Sequence, residues 1–353
     1  MTSVENNPFM PKRYYMVTLD PTHIGTGGYR LGRVDNTIVR EHGSNLPKIP
    51  GSSIAGVARA YTAMAIQSEN PLRMTYQREH VIEIIKPDGT KEPKKTFESC
   101  AGKGLRNGDG HCGKPDCEVC VPFGFSKDAG SFQGLAQFYD ARILFFPVHS
   151  KIGPVWITCP SLLKEEGLSD AEVSVDKGKF KAMDGAPGTL MNFGWLMLER
   201  QETTGTTISI PSIDEYDAFK DIKNRCFILN DSVFPKVVND NLEVRTSVAI
   251  DPATGAAEEG ALFTYEAIPR LTFMKFDIVY NDPSFFKLNG NVDINLAKPN
   301  NYSDPLRSPG REDQAGFMAF NIEKGMSLFE HLGIGGMNTR GMGRVKVLNI
   351  GGC

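Results

Sequence analysis

The chain of 353 residues carries a formal net charge of −3, is 40% hydrophobic and 23% charged, and contains 36 glycines and 22 prolines. This composition supports a sizeable core with many turns, and the charge balance excludes a generally basic nucleic-acid binder, so any grip on nucleic acid needs cations gathered locally. No apolar run approaches the roughly 18 residues of a membrane span, and the polar segment Met1–Pro11 lacks the apolar stretch of a secretion signal, which predicts a cytoplasmic protein.

Arg13–Leu19 reads as a first strand, rich in aromatic and β-branched residues and stopped by Asp20-Pro21. A loop follows with Gly25, Gly27, Gly28 and Gly32, carrying His23, Asp35 and Arg40. Pro50-Gly51-Ser52-Ser53 then opens a helix. Ser52 or Ser53 is its expected N-cap, and Ile54, Val57, Ala58, Tyr61, Met64 and Ala65 recur at helical spacing. Between 70 and 133 the periodicity fails, which predicts an insertion ordered by something other than a core.

Residues 137–148 are apolar enough for a strand pair, Pro160–Glu166 begins a short helix, and 167–190 is a polar, glycine-rich excursion. Residues 222–238 alternate short apolar runs with caps. Two β-rich runs flank Asp251-Pro252-Ala253-Thr254-Gly255, which predicts a protruding hairpin. Arg270–Tyr280 alternates as a strand, Met326–Leu332 ends a helix, and Val345–Leu348 makes a closing strand.

The most specific chemical signal is the clustering of Cys100, Cys112, Cys117 and Cys120. Zinc takes four tetrahedral nitrogen or sulfur ligands, and the Cys117–Cys120 C-x-x-C turn can place two thiolates on one ion. Four protein ligands make such a site structural. His111, beside Cys112, competes with Cys100 for the fourth place. No histidine is followed two residues later by glutamate, which excludes a deaminase-type zinc centre.

Two glycine elements suggest anion binding: Pro50–Gly56, followed by Arg59, and Gly333–Gly343, which holds Gly335, Gly336 and Arg340 and is followed by Arg344. Glycine permits close backbone approach, and fresh helix N-termini present unpaired N–H groups to phosphate. Neither is a Walker A loop, and no G-x-G-x-x-G lies in a βαβ context. By itself Asp35 is a loop aspartate of the kind that forms turns.

Taken together, these segments resemble the RAMP superfamily of CRISPR proteins, in particular the repeated backbone subunit of type III effector complexes in its Cmr (III-B) form. The likeness rests on His23–Gly27, Val34-Asp35 with Arg40-Glu41, Ile49–Ile54, Asp140–Val148, Ile157–Pro160, Glu259–Phe263 with Glu266, and Ile334–Arg344. It implies an α+β fold: one domain over 1–353 with a ferredoxin-like (RRM-type) βαββαβ core, a zinc-binding insertion at 70–133 resembling Csm-type relatives, and a thumb hairpin at 245–268. It further implies that copies stack along a CRISPR guide RNA together with other type III subunits. The thumbs would wedge into the guide–target duplex. A loop aspartate, here Asp35, would cut the target RNA beside each wedge with Mg2+ or Mn2+, leaving a cyclic phosphate. His23, Arg40, Ser52, Ser53, Arg59, Gly335, Gly336, Arg340 and Arg344 would hold RNA.

Overall fold

The computed structural model describes residues 7–27, 34–69, 77–85, 89–101, 110–127, 130–182, 188–201, 210–214, 216–220, 222–296 and 314–350. Parts of the expected insertion, and Gly28 and Gly32 of the first glycine loop, lie outside the described residues.

Six elements organise the core: β1 (Phe9–Thr18), α1 (Gly51–Glu69), β2 (Ala141–Ser150), β3 (Phe273–Asn281), α2 (Gln314–Ser327) and β4 (Val345–Val347). Their strands lie side by side in the order β4-β1-β3-β2, each antiparallel to its neighbour. Among the described residues this sheet continues from β2 through Gly153–Thr158, Cys226–Leu229, Lys179–Ala182, Leu196–Arg200 and Leu190–Phe193, giving one mixed α/β sheet.

Alternation along β1 sends its side chains to two different environments. Lys12 and Tyr14 meet Glu323 of α2, and Tyr14 also bonds Tyr280 of β3. On the opposite face Arg13 and Tyr15 meet Glu166, which also pairs with Lys275. Helices α1 and α2 touch closely because Gly325 has no side chain: a Cβ there would lie 2.3 Å from the Thr62 hydroxyl.

Three expectations are corrected. The stretch 167–190 contains the sheet strand Lys179–Ala182, whose Phe180 packs edge-on against Phe193 and Phe227; the exposed turn before it dilutes its signal. Within 70–133 there is a regular hairpin, Gln77–Ile85 with Lys91–Ser99, whose charged sequence hides its periodicity. The 270–280 strand begins at Phe273, because Leu271 turns through the left-handed region at φ 62°.

The predicted hairpin is present, with strands Glu243–Ile250 and Ala257–Ala267. Asp251 accepts the Ala253 N–H and the Thr254 hydroxyl, and so shapes the turn between them. Among the described residues no helix is long and apolar enough to cross a membrane.

Candidate functional site

The hairpin has two chemically different faces, because directly paired residues project together. Val244, Val248, Ile250 and Leu262 are exposed, and Val248 pairs with Leu262, one row beyond the Thr246–Thr264 pair. The other face carries Phe263 and Tyr265. Ser247, Val248, Ala249, Phe263 and Arg340 line an open cavity of about 450 Å3 beside the hairpin.

The loop bearing Asp35 is fastened to the base of this hairpin. Asn36 donates its N–H to the Thr264 carbonyl, and Glu266 donates its N–H back to the Asn36 carbonyl. Asp35 Oδ2 accepts both the Thr264 N–H at 2.8 Å and the Thr264 hydroxyl at 2.9 Å, while Oδ1 takes no part in these bonds. Asp35 is exposed, and the Thr264 N–H and hydroxyl hold its carboxyl below the ordinary range by stabilising the anion.

Glu266 organises the layer beneath. Its carboxylate pairs with Arg40 at 2.6 Å and accepts the Ile38 N–H, and its carbonyl accepts from His23 Nδ1. Because a carbonyl only accepts, Nδ1 carries the proton. His23 is 6% exposed and packs edge-on against Tyr265. It therefore braces the site from inside. Arg40 is likewise occupied, by Glu266 and by Asn239 of the short helix Phe234–Asp240.

The terminal glycine loop closes over His23. Gly336 donates its N–H to the His23 carbonyl, and Gly335 adopts φ +79° where a Cβ would meet Ile24 at 2.4 Å. Gly335, Gly336, Arg340 and Arg344 remain exposed at this surface. Arg340 donates to the Tyr265 hydroxyl, and Arg344 pairs with Asp20, whose carboxyl that bond pulls down. Tyr61 of α1 donates to the Gly333 carbonyl at 2.9 Å, which ties α1 to the terminal glycine loop.

Ser52 and Ser53 lie in the first turn of α1 but do not provide the expected cap. Asp140, adjoining β2, accepts the Gly51 N–H at 2.8 Å and pairs with Lys48 at 2.5 Å. A carboxylate at a helix N-terminus satisfies a free N–H and complements the helix dipole. No local sequence signal links Asp140 to a helix so far away in the chain.

A second centre lies on the far side of α1. The sulfurs of Cys100, Cys112, Cys117 and Cys120 all lie within 4.8 Å of one another. Cys112 and Cys120 are 3.8 Å apart, close to the edge of a tetrahedron with metal–sulfur bonds of about 2.3 Å. Backbone N–H groups of Cys112 and Cys120 point at the sulfurs of Cys100 and Cys117. These residues could hold a metal ion such as zinc.

Among the described residues His111 does not join this group of sulfurs. Its Nδ1 lies 2.6 Å from the Arg59 guanidinium, which can only donate, so that nitrogen's lone pair is taken and Nε2 carries the proton. Cys100 is the fourth member. Arg59 itself is 9% exposed and turned into this cluster, so it does not reach a phosphate at the surface, and that expectation is corrected.

A family model described as the RAMP superfamily matches residues 15–346. The CRISPR system Cmr endoribonuclease Cmr4 of Pyrococcus furiosus is 26% identical over 270 residues, spanning 72% of this chain and 76% of that one. Similar solved structures include the type III-B Cmr-beta complex bound to cognate target RNA, where the match has a TM-score of 0.58, 15% identity and 96% coverage of both chains. Oligomeric Cmr4 from Pyrococcus furiosus matches with a TM-score of 0.50, 18% identity and coverage of 97% of this chain and 98% of that one.

Proposed function

This chain belongs to the RAMP superfamily, and we infer that it is a backbone subunit of a type III-B CRISPR effector complex, binding guide RNA and cutting complementary target RNA beside Asp35. The observation that carries this reading is the fastening of an exposed, ionised Asp35 to Thr264 on a projecting hairpin. A carboxylate tied to the hairpin stays in register with whatever the hairpin enters. The kinship with an endoribonuclease supports the same reading.

The β1-α1-β2-β3-α2-β4 order, with strands arranged β4-β1-β3-β2, supports a ferredoxin-like core. On this reading residues 245–268 form the thumb and 70–133 the metal-binding insertion. The exposed Val248 and Leu262 suit a wedge between base pairs, since they offer apolar surface to stacked bases. Gly335, Gly336, the α1 start at Ser52 and Ser53, and Arg340 and Arg344 are proposed to hold guide phosphates through close backbone approach, serine hydroxyls and cations. Further copies of the chain and other type III subunits would extend the path along the guide.

In the cleavage step the target's own 2′-hydroxyl attacks the adjacent phosphorus. The bond to the 5′-oxygen breaks, and a cyclic phosphate remains. The hydroxyl proton passes to solvent, and the leaving oxygen takes one up. Asp35 suits the role of hydrogen-bond acceptor that orients the 2′-hydroxyl, because a carboxylate with a depressed pKa is a weak base. Its Oδ1 would also hold a Mg2+ or Mn2+ ion, whose charge offsets that developing on the phosphate. Cys100, Cys112, Cys117 and Cys120 would hold a structural zinc ion.

The test is cleavage of an end-labelled complementary RNA by the reconstituted complex with magnesium, wild type against Asp35→Ala. Evenly spaced cuts that vanish in the variant while the RNA stays bound are expected. Cuts that persist would assign the nuclease to another subunit and leave this chain a scaffold.

A further inference from the structure

Helix α1 has two buried faces. Ile54 and Ala58 belong to the main core, whereas Ala63 and Ile66 pack with Cys100, Cys117, Val119 and Cys120 in a separate apolar cluster. Arg59 stands four residues before Ala63 and seven before Ile66, on this second face. Its guanidinium donates to the carbonyls of Cys100 at 2.8 Å and Gly124 at 2.7 Å, and to His111 Nδ1. One of its nitrogens lies 4.0 Å from the Cys120 sulfur.

A buried guanidinium needs a counter-charge, because desolvating an unpaired cation is costly. Among the described residues Arg59 meets backbone carbonyls, His111 Nδ1 and the Cys120 sulfur, and pairs with no carboxylate. Four thiolates around a divalent ion carry two surplus negative charges and would supply a counter-charge. Metal loading therefore sets surplus negative charge beside the Arg59 guanidinium.

We propose that Arg59 is a positioning residue of the cysteine centre, serving as its counter-cation and fastening α1 to it through its forked donors. The proposal rests on the reading that the cluster holds a metal. The C-x-x-C turn is tied to the other core helix as well: Glu118, between Cys117 and Cys120, accepts from Asn321 of α2 at 2.9 Å, with both residues buried. The centre thus clamps both helices of the core. Occupancy sets how α1, with its N-terminal turn and its Tyr61 contact to Gly333, is held.

The experiment uses the full chain loaded with zinc, as wild type, Arg59→Met and Arg59→Lys, and follows metal release to a chromogenic chelator. Guide-RNA affinity of the loaded proteins is measured alongside. Arg59→Met is expected to release zinc about ten-fold faster or more, as loss of a group that supports metal ligands does. Its guide affinity while loaded should match wild type. Release at the wild-type rate would overturn the proposal, and so would weakened guide binding with unchanged release, which would return Arg59 to the phosphate-binding set. If Arg59→Met does not fold, Arg59→Lys decides, since it keeps the charge and loses the fork: faster release supports the clamp and wild-type release overturns it. Failure of the metal reading has a separate signature. In that case the wild type would bind no zinc, and Cys117→Ser would melt at the wild-type temperature with or without added zinc.

Discussion

Asp35 and Thr264 hold each other in both directions: the Asp35 N–H donates to the Thr264 hydroxyl at 3.0 Å, and that hydroxyl and the Thr264 N–H both donate to Asp35 Oδ2. The carboxylate is thereby locked to the hairpin although 229 positions separate the two residues. Thr264→Val keeps the branched shape and removes the hydroxyl. Target cleavage should fall roughly ten-fold through misplacement of the carboxylate, with target affinity unchanged. The hydroxyl stabilises the anion, so its loss raises the Asp35 pKa and the acid limb of the rate profile moves to higher pH. Thr264→Ser should restore both rate and profile; a profile unmoved in Thr264→Val would count against the lock.

Glu266 and Arg40 form a partly buried pair on which the Asp35 loop rests, and Glu266 also holds the Ile38 N–H. Glu266→Gln leaves the guanidinium without its anion. The expected loss is roughly 2 kcal/mol, below that of a fully buried pair because a fifth of the Arg40 side chain remains in water. A urea midpoint that falls accordingly, with cleavage lost at temperatures where the chain is still folded, would bear this out.

Val248 and Leu262 face each other on the exposed side of the hairpin, 41% and 65% exposed. Replacing both with serine should change folding stability by less than about 0.5 kcal/mol, as surface substitutions do. If the hairpin wedges into a duplex, the double variant should still bind guide RNA and lose the even spacing of target cuts. Unaltered spacing would remove the wedge role.

Asp140 caps α1 from the neighbouring strand, and Asp140→Ala should cost about 1 kcal/mol, the ordinary worth of a helix cap. Burial pushes the Asp140 carboxyl up, but the bonds from Lys48 and Gly51 outweigh it and the net shift is downward. A carboxyl depressed on folding stabilises above its unfolded pKa of about 3.9, and this is lost as pH falls through the lower folded value. The stability gap between wild type and Asp140→Ala, measured by melting, should therefore close only in strong acid.

The local signals in the chain were sufficient for the elements they encode. Aromatic and β-branched content marked β1, a Pro/Gly turn between β-rich runs marked the hairpin around Asp251–Gly255, helical spacing marked α1, and crowding of four cysteines marked the metal-type centre. These are properties of neighbouring residues, so the sequence alone determined them. Which groups those elements present, and to what, was decided by pairing across the fold. Arg59 points to the cysteines because the second face of α1 is covered, His23 is buried because the terminal loop folds over it, and His111 is held by that same arginine. The capping of α1 by Asp140 and the capture of Asp35 by Thr264 depend on segments that become neighbours only once the chain has folded. A hydrogen bond is satisfied by proximity in space, and no spacing along the chain encodes a partner two hundred residues away.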